Sequence, residues 1–503
     1  MKFSRPAASA AAAATAAAVA LAVAAVPGVR TASDEQPQAL ATQVAPVRPA
    51  NLETEAVVPA VPAVPAEEPE KVTSATAPSA VAAPAVAAPV AGTGVEGGAS
   101  ESESPEGVDP VGGSVPDGDK AGLANAVEEL LGPDAEGAEA DNMPAVAGEN
   151  LAGSTATPEK VSELTAAPVN YKGNPQAWFH NIGLIKGGKA YQVYSDSMGR
   201  NIPVAVIRAT NPDGTLLTGA PTYYLLNGAG GSEQDTDWLT QAFEQVRDTF
   251  QDEPVNVVIP MEGAFSYYVD WLSDPQPNTY LHGKQKWSTF LGSELPNSIE
   301  PFLNANGTRA VSGFSMSATS ALLLAEHNPD QYAAVGSFSG CAATSTALPS
   351  FFVGLTVNRG SAGRGNLSPA DLWGARGSEY NRYNDALVMA EKLRGTQTKL
   401  YISAGTGLPS NTDMIGELKK AKELTSSEAL AQALTLQVEG GAIEAAMNAC
   451  THDLHTKLKA LDVPVTFNKR ATGTHSWPVW HDDLKVSWER VIGPALLPGK
   501  FQQ

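Results

Sequence analysis

RAVSGFSMSATSALLLAEHNP, residues 309–329, is the stretch on which the reading of this chain turns. A β-rich run ends in Gly313-Phe314-Ser315-Met316-Ser317, and an amphipathic helical pattern begins at once. A G-x-S-x-G turn needs this strand–turn–helix setting, because the sharp bend lifts the serine Oγ above the edge of a sheet. Small flanking residues avoid clashes with neighbouring backbone, and the helix N-terminus behind the serine favours a developing oxyanion. Ser317 replaces the second glycine of the pattern, one small residue for another. Ser315 is therefore the candidate nucleophile, set against the plainer reading of a structural turn.

A nucleophilic serine needs a base, which for this kind of elbow lies towards the C-terminus. The chain has seven histidines. His180 and His282 precede the elbow, and His327 lies on the elbow helix, pointing away. His452 and His455 sit three apart on a helical pattern, as on a solvated face, and His481 follows Trp480. His475 stands in Thr474-His475-Ser476-Trp477-Pro478, a loop after the last strand-like run, and is the expected base. The acid that orients it is open from the residues alone. Asp413 follows the run at 398–404, and Glu439 in LQVEGG (436–441) is its rival; spacing slightly favours Asp413.

Two backbone N–H groups should form the oxyanion hole. Met316, directly after the nucleophile, supplies one. LLNGAGG (225–231) is a Gly-rich turn after an early strand, and Ala229 is the expected second donor.

Around these motifs the chain divides by composition. Lys2 and Arg5 followed by an Ala/Val/Leu-rich stretch mark residues 1–33 as an export signal rather than a membrane anchor, since alanine is weakly apolar and Pro27-Gly28 ends the stretch. Residues 34–165 hold no Phe, Tyr or Trp and carry 23 acidic against 4 basic residues, or −19 of the net −21. Such a tract cannot bury enough apolar surface to offset its chain entropy and is expected to stay disordered, with a short helical pattern only at 121–132. Residues 166–503 are globular in composition, enough for one large domain. Strand-like runs at 203–208, 222–227, 255–260, 309–314, 333–338, 398–404 and 463–467 alternate with helical patterns near 237–250, 288–303, 316–328, 413–435, 441–461 and 482–492. That alternation predicts a mainly parallel sheet covered on both faces, and with the elbow it predicts an α/β-hydrolase fold. Cys341 and Cys450 fit an oxidising compartment; a bridge would close a loop of about 110 residues, worth on the order of 4–5 kcal/mol, and two buried thiols are the alternative. No metal or nucleotide motif is evident, no cofactor is expected, and the acidic balance argues against nucleic acid.

The separated landmarks LLNG (225–228), MEGAFSYYVDW (261–271), KWSTFLGSELP (286–296), GFSMSATSALLLAEHNP (313–329) and GTHSWPVW (473–480) together resemble the antigen 85-type mycolyltransferases of mycolate-bearing actinobacteria. The resemblance spans roughly residues 222–484. It implies Ser315 as nucleophile, His475 as base and Ala229 as the first oxyanion amide, and it moves the acid from Asp413 to Glu439. It departs from the family at Asn227 and Gly230, where the family often has the Asp and Arg that help to bind trehalose. Asn227 is still expected to face the acceptor, and Trp477 and Trp480 to line the sugar or lipid site.

The resemblance further implies an exported, envelope-associated serine acyltransferase. It would move a mycolyl group from trehalose monomycolate, through an acyl-enzyme, to trehalose, wall arabinogalactan or a protein hydroxyl. A carboxylesterase of the esterase D kind, using water, shares every feature of the triad. A non-catalytic wall-binding module is the third reading, opposed by the intact set of Ser315, Glu439 and His475.

Overall fold

The computed structural model describes residues 160–275, 280–281, 283–362, 366–422 and 424–501. The export signal at 1–33, the tract up to residue 159 and the helical pattern at 121–132 lie outside the described residues. Among the described residues no helix is long and apolar enough to cross a membrane.

Among the described residues nine strands form one sheet: β1 (Val161–Glu163), β2 (Gly188–Ser195), β3 (Arg200–Ile207), β4 (Thr222–Leu225), β5 (Asn256–Pro260), β6 (Arg309–Phe314), β7 (Ala334–Phe338), β8 (Lys399–Ala404) and β9 (Val465–Lys469). Their order is β1-β2-β3-β5-β4-β6-β7-β8-β9. The β1–β2, β2–β3 and β3–β5 pairs are antiparallel, and every pair from β5 through β4 to β9 is parallel. This is the α/β-hydrolase fold. Helices of eight or more described residues are α1 (Phe243–Phe250), α2 (Leu295–Phe302), α3 (Met316–His327), α4 (Ala347–Arg359), α5 (Ile415–Lys422), α6 (Ser426–Thr435), α7 (Gly441–Ala460) and α8 (Trp477–Ser487).

Side-chain alternation along the strands splits the core in two. Tyr224, Val258, Val311, Val335 and Ile402 face one side, against Leu322 of α3, Ile299 of α2 and Leu454 of α7. Tyr223, Val257, Ala310, Ala334 and Tyr401 face the other, against Val246 of α1 and Trp480 and Leu484 of α8. Central strands such as β4 and β5 are buried at every position, which is why they read as continuous apolar runs.

Secondary structure is present within the stretch that composition marks as unstructured. β1 lies inside the stretch 34–165 that was expected to be unstructured, and pairs Val161 with Val193 of β2. A three-residue edge strand needs only one buried side chain, here Val161 at 5 % exposure, so a tract-wide composition cannot register it. The pattern expected over 413–435 is two helices, α5 and α6, packed through Leu418, Ala429 and Ala433.

Candidate active site

β6 delivers Phe314 to the sheet edge and the chain then turns sharply. Ser315 has φ 55° and ψ −122°, a left-handed conformation that costs a non-glycine residue on the order of 1–3 kcal/mol. The bend is tight enough that a Cβ at Gly313 would lie 2.3 Å from the Ser317 carbonyl oxygen. Ser317 fits where the pattern has glycine because its hydroxyl is used: Oγ accepts from the Phe314 N–H at 3.1 Å and sits 3.1 Å from the Phe314 carbonyl. The Ser315 N–H donates to the Phe338 carbonyl at the end of β7, which fixes the elbow to the next strand.

His475 lies in the loop between β9 and α8. Its backbone N–H donates to the Gly440 carbonyl at 2.9 Å. The Gly473 carbonyl accepts from the Gly407 N–H, and a Cβ at Gly405 would lie 2.5 Å from that same oxygen. Close backbone approach between the loops after β8 and β9 thus sets the imidazole. Its Nε2 is 2.8 Å from Ser315 Oγ, and its Nδ1 is 2.8 Å from Glu444 Oε2.

Glu444 is fully buried on α7. Its Oε1 accepts from Ser339 Oγ at 2.8 Å and from the Gly405 N–H at 2.6 Å. An ionised carboxylate can only accept, so the third partner, His475 Nδ1, must carry a proton. That assignment leaves Nε2 as the acceptor facing the serine hydroxyl.

On the oxyanion side, Gly228 packs so closely under the elbow that a Cβ there would lie 2.5 Å from the Phe314 ring. Among the described residues no backbone acceptor stands against the Ala229 N–H or the Met316 N–H.

The family model described as "Putative esterase" matches residues 195–489. A relative from Mycobacterium leprae, diacylglycerol acyltransferase/mycolyltransferase Ag85B, is 32% identical over 301 residues, covering 59% of this chain and 80% of that protein. Ag85A of Mycobacterium gordonae is 33% identical over 293 residues, covering 58% of this chain and 75% of the relative. The chain belongs to the antigen 85-type mycolyltransferase family. Its relatives are acyltransferases by name, and the chain carries their hydrolase-type fold. Among solved structures, MPT51 of Mycobacterium tuberculosis is 23% identical with a TM-score of 0.42, over 61% of this chain and 97% of that one.

For this mycolyltransferase-family chain the structure corrects the acid. Glu439, expected on His475, lies in the π-helical turn Leu436–Gly440 before α7, and the carboxylate on Nδ1 is that of Glu444. Five helical positions rotate a side chain by about 140°, so the two cannot share a face. The buried stripe of α7 runs Glu444, Thr451, Leu454, Leu458, with Asn448 and Thr451 bonded to Gly405 and Gly340. A carboxylate at a buried helical position marks Glu444 as unusual, but that pattern does not by itself choose it over Asp413 or Glu439. Asp413, the other candidate, is buried in a capping box, its Oδ2 accepting from the N–H and Oγ of Ser410.

Asn227 is also corrected. It is fully buried, with Nδ2 donating to the Pro260 carbonyl and Oδ1 accepting from the Trp238 N–H, so its side chain faces no acceptor. Trp477 is half-buried and packs edge-on to Trp238 and Trp480 and tilted against Phe314, behind the elbow. Trp480 stands edge-on to the His475 ring at 5.0 Å. Cys341 and Cys450 are joined in a disulfide that ties the loop after β7 to α7, six residues beyond Glu444.

Proposed function

We propose that this chain is a serine acyltransferase of the mycolyl type, with Ser315 as nucleophile, His475 as base and Glu444 as the acid that orients it. The observation that carries the reading is the unbroken hydrogen-bonded row from Ser315 Oγ through His475 to the buried Glu444 carboxylate. Nε2 takes the serine proton as Oγ attacks the ester carbonyl of the donor. The oxyanion is held by the N–H groups of Ala229 and Met316, and Glu444 stabilises the imidazolium. The imidazolium returns the proton to the leaving alcohol, leaving an acyl ester on Ser315. A second hydroxyl, deprotonated by Nε2, attacks that ester and takes the acyl chain, while the imidazolium returns its proton to the leaving Ser315 Oγ.

The family favours trehalose monomycolate as donor, with trehalose, wall arabinogalactan or a protein hydroxyl as acceptor. Export, with residues 1–33 as signal, and work at the cell envelope accompany this reading. The test is product analysis with radiolabelled trehalose monomycolate and each acceptor in turn: transfer to an offered hydroxyl is expected, and lost in Ser315→Ala. Release of free acid alone, whatever hydroxyl is offered, would establish the second reading, a carboxylesterase, which the match to an esterase family model favours.

A further inference from the structure

The loop Met261–Tyr268 lies outside the row just described, yet it touches both Ala229 and Met316. Its three residues Phe265, Tyr267 and Tyr268 have φ of 62°, 52° and 48°. All three are buried and bulky, and such residues take left-handed backbone only when their surroundings impose it. One set of restraints comes from the oxyanion turn. Ser232 Oγ donates to the Met261 carbonyl at 2.5 Å, and the Phe265 N–H donates to the carbonyl of Ala229 itself at 2.7 Å. Between them, Glu233 Oε1 accepts from the N–H groups of both Gly263 and Ala264, at 2.8 and 2.9 Å. A second set comes from the elbow helix. The Tyr267 N–H points at Met316 Sδ at 3.2 Å, and Ser320 Oγ, one turn along α3, donates to the Tyr267 carbonyl at 2.6 Å.

The loop is therefore a strap. One end holds the residue that carries the first oxyanion donor, and the other holds the side chain of the residue that carries the second. We infer that Glu233 is a positioning residue for acyl transfer: its carboxylate tightens the strained strap that sets the Ala229 amide against the Met316 amide. It is the only side-chain acceptor among the described residues that gathers two strap N–H groups onto one atom. Glu233 sits in the 3-10 turn Ser232–Gln234 that immediately follows the Gly-rich turn, so a shift of its carboxylate moves Ala229 through four residues of backbone. It touches no reacting atom and acts wholly through the strap. The inference rests on the reading of Ala229 and Met316 as the oxyanion donors.

The test uses purified full-length enzyme and a p-nitrophenyl acyl ester, with steady-state kinetics and thermal unfolding for wild type, Glu233→Ala, Glu233→Gln, Ser320→Ala and Ser315→Ala. Complete loss of an oxyanion donor costs about 10²–10³ in kcat, so displacing one should cost about 10- to 100-fold. Glu233→Ala is expected to lower kcat by that factor at nearly unchanged KM, at a temperature where the variant is fully folded. Glu233→Gln, whose amide oxygen can still accept both N–H groups, should recover most of it. Ser320→Ala should show a smaller loss of the same kind. Wild-type kcat in folded Glu233→Ala, or a Gln variant as slow as the Ala variant, overturns the assignment while leaving Ser315 in place. Turnover that survives in Ser315→Ala removes the underlying reading of the site and this inference with it.

Discussion

Replacing Glu444 by Gln exchanges one oxygen for an NH2 group and leaves the volume of a fully buried side chain nearly unchanged. Its consequences follow from three donors. Oε1 accepts from Ser339 Oγ and from the Gly405 N–H, and Oε2 faces His475 Nδ1. If the Gln oxygen stays with Ser339 and Gly405, its NH2 meets Nδ1, which must then become the acceptor. The proton moves to Nε2, and the imidazole can no longer receive one from Ser315. If the amide flips, NH2 confronts the Gly405 N–H across 2.6 Å, donor against donor, in a site closed to water. The first arrangement is the cheaper and yields the wrong tautomer. In a serine–histidine–acid system that error costs about 10⁴ in kcat, or about 5.4 kcal/mol of transition-state stabilisation. We expect Glu444→Gln to turn over a p-nitrophenyl acyl ester about 10⁴-fold more slowly than wild type, with thermal unfolding checked to show that the fold survives. Glu439→Gln, one π-helical turn earlier, should remain within about threefold of wild type. More than a tenth of wild-type kcat in Glu444→Gln, or the greater loss at Glu439, would refute the reasoning.

Gly228→Ala would put a Cβ 2.5 Å from a Phe314 ring that is itself enclosed by Trp238, Trp477 and Trp480. The Ala229 turn must give way, so kcat should fall about 10- to 100-fold, with about 1–3 kcal/mol lost in urea unfolding; wild-type kinetics would show that the turn does not set the oxyanion donors. The disulfide spans a sequence separation of 109, so its removal by Cys341→Ala with Cys450→Ala should cost up to about 4–5 kcal/mol. Denatured, unreduced enzyme should take up no maleimide, and full labelling would disprove the bridge.

The seven strand-like runs correspond to β3 through β9; β4, β5 and β7 among them are buried at every position and stand out most clearly against their surroundings. β2 escaped for the opposite reason. Its buried Ala190, Tyr191 and Val193 are preceded by exposed Lys189 and interrupted by Gln192, so no continuous run marks it. α4, Ala347–Arg359, escaped because most of its apolar residues, Leu348 among them, are not buried, and its buried positions are only Val353 and Val357, too few to mark a periodicity.

Ser315 and His475 were legible because local backbone demands residue types in a fixed order: strand, small residue, serine, helix for one, and a loop after the last strand for the other. The third member was not, because the choice between Asp413, Glu439 and Glu444 is a matter of direction rather than of position along the chain. Only the docking of α7, with Glu444, Asn448 and Thr451 turned towards the ends of β7 and β8, decides which carboxylate meets the imidazole. Asn227 makes the same point from the other side. Sequence placed it beside the oxyanion turn, and tertiary packing alone determined that its amide is spent on the Pro260 carbonyl and the Trp238 N–H. Hydrogen-bond partners far apart in the chain are settled by how helices and strands pack, and no local pattern carries that information.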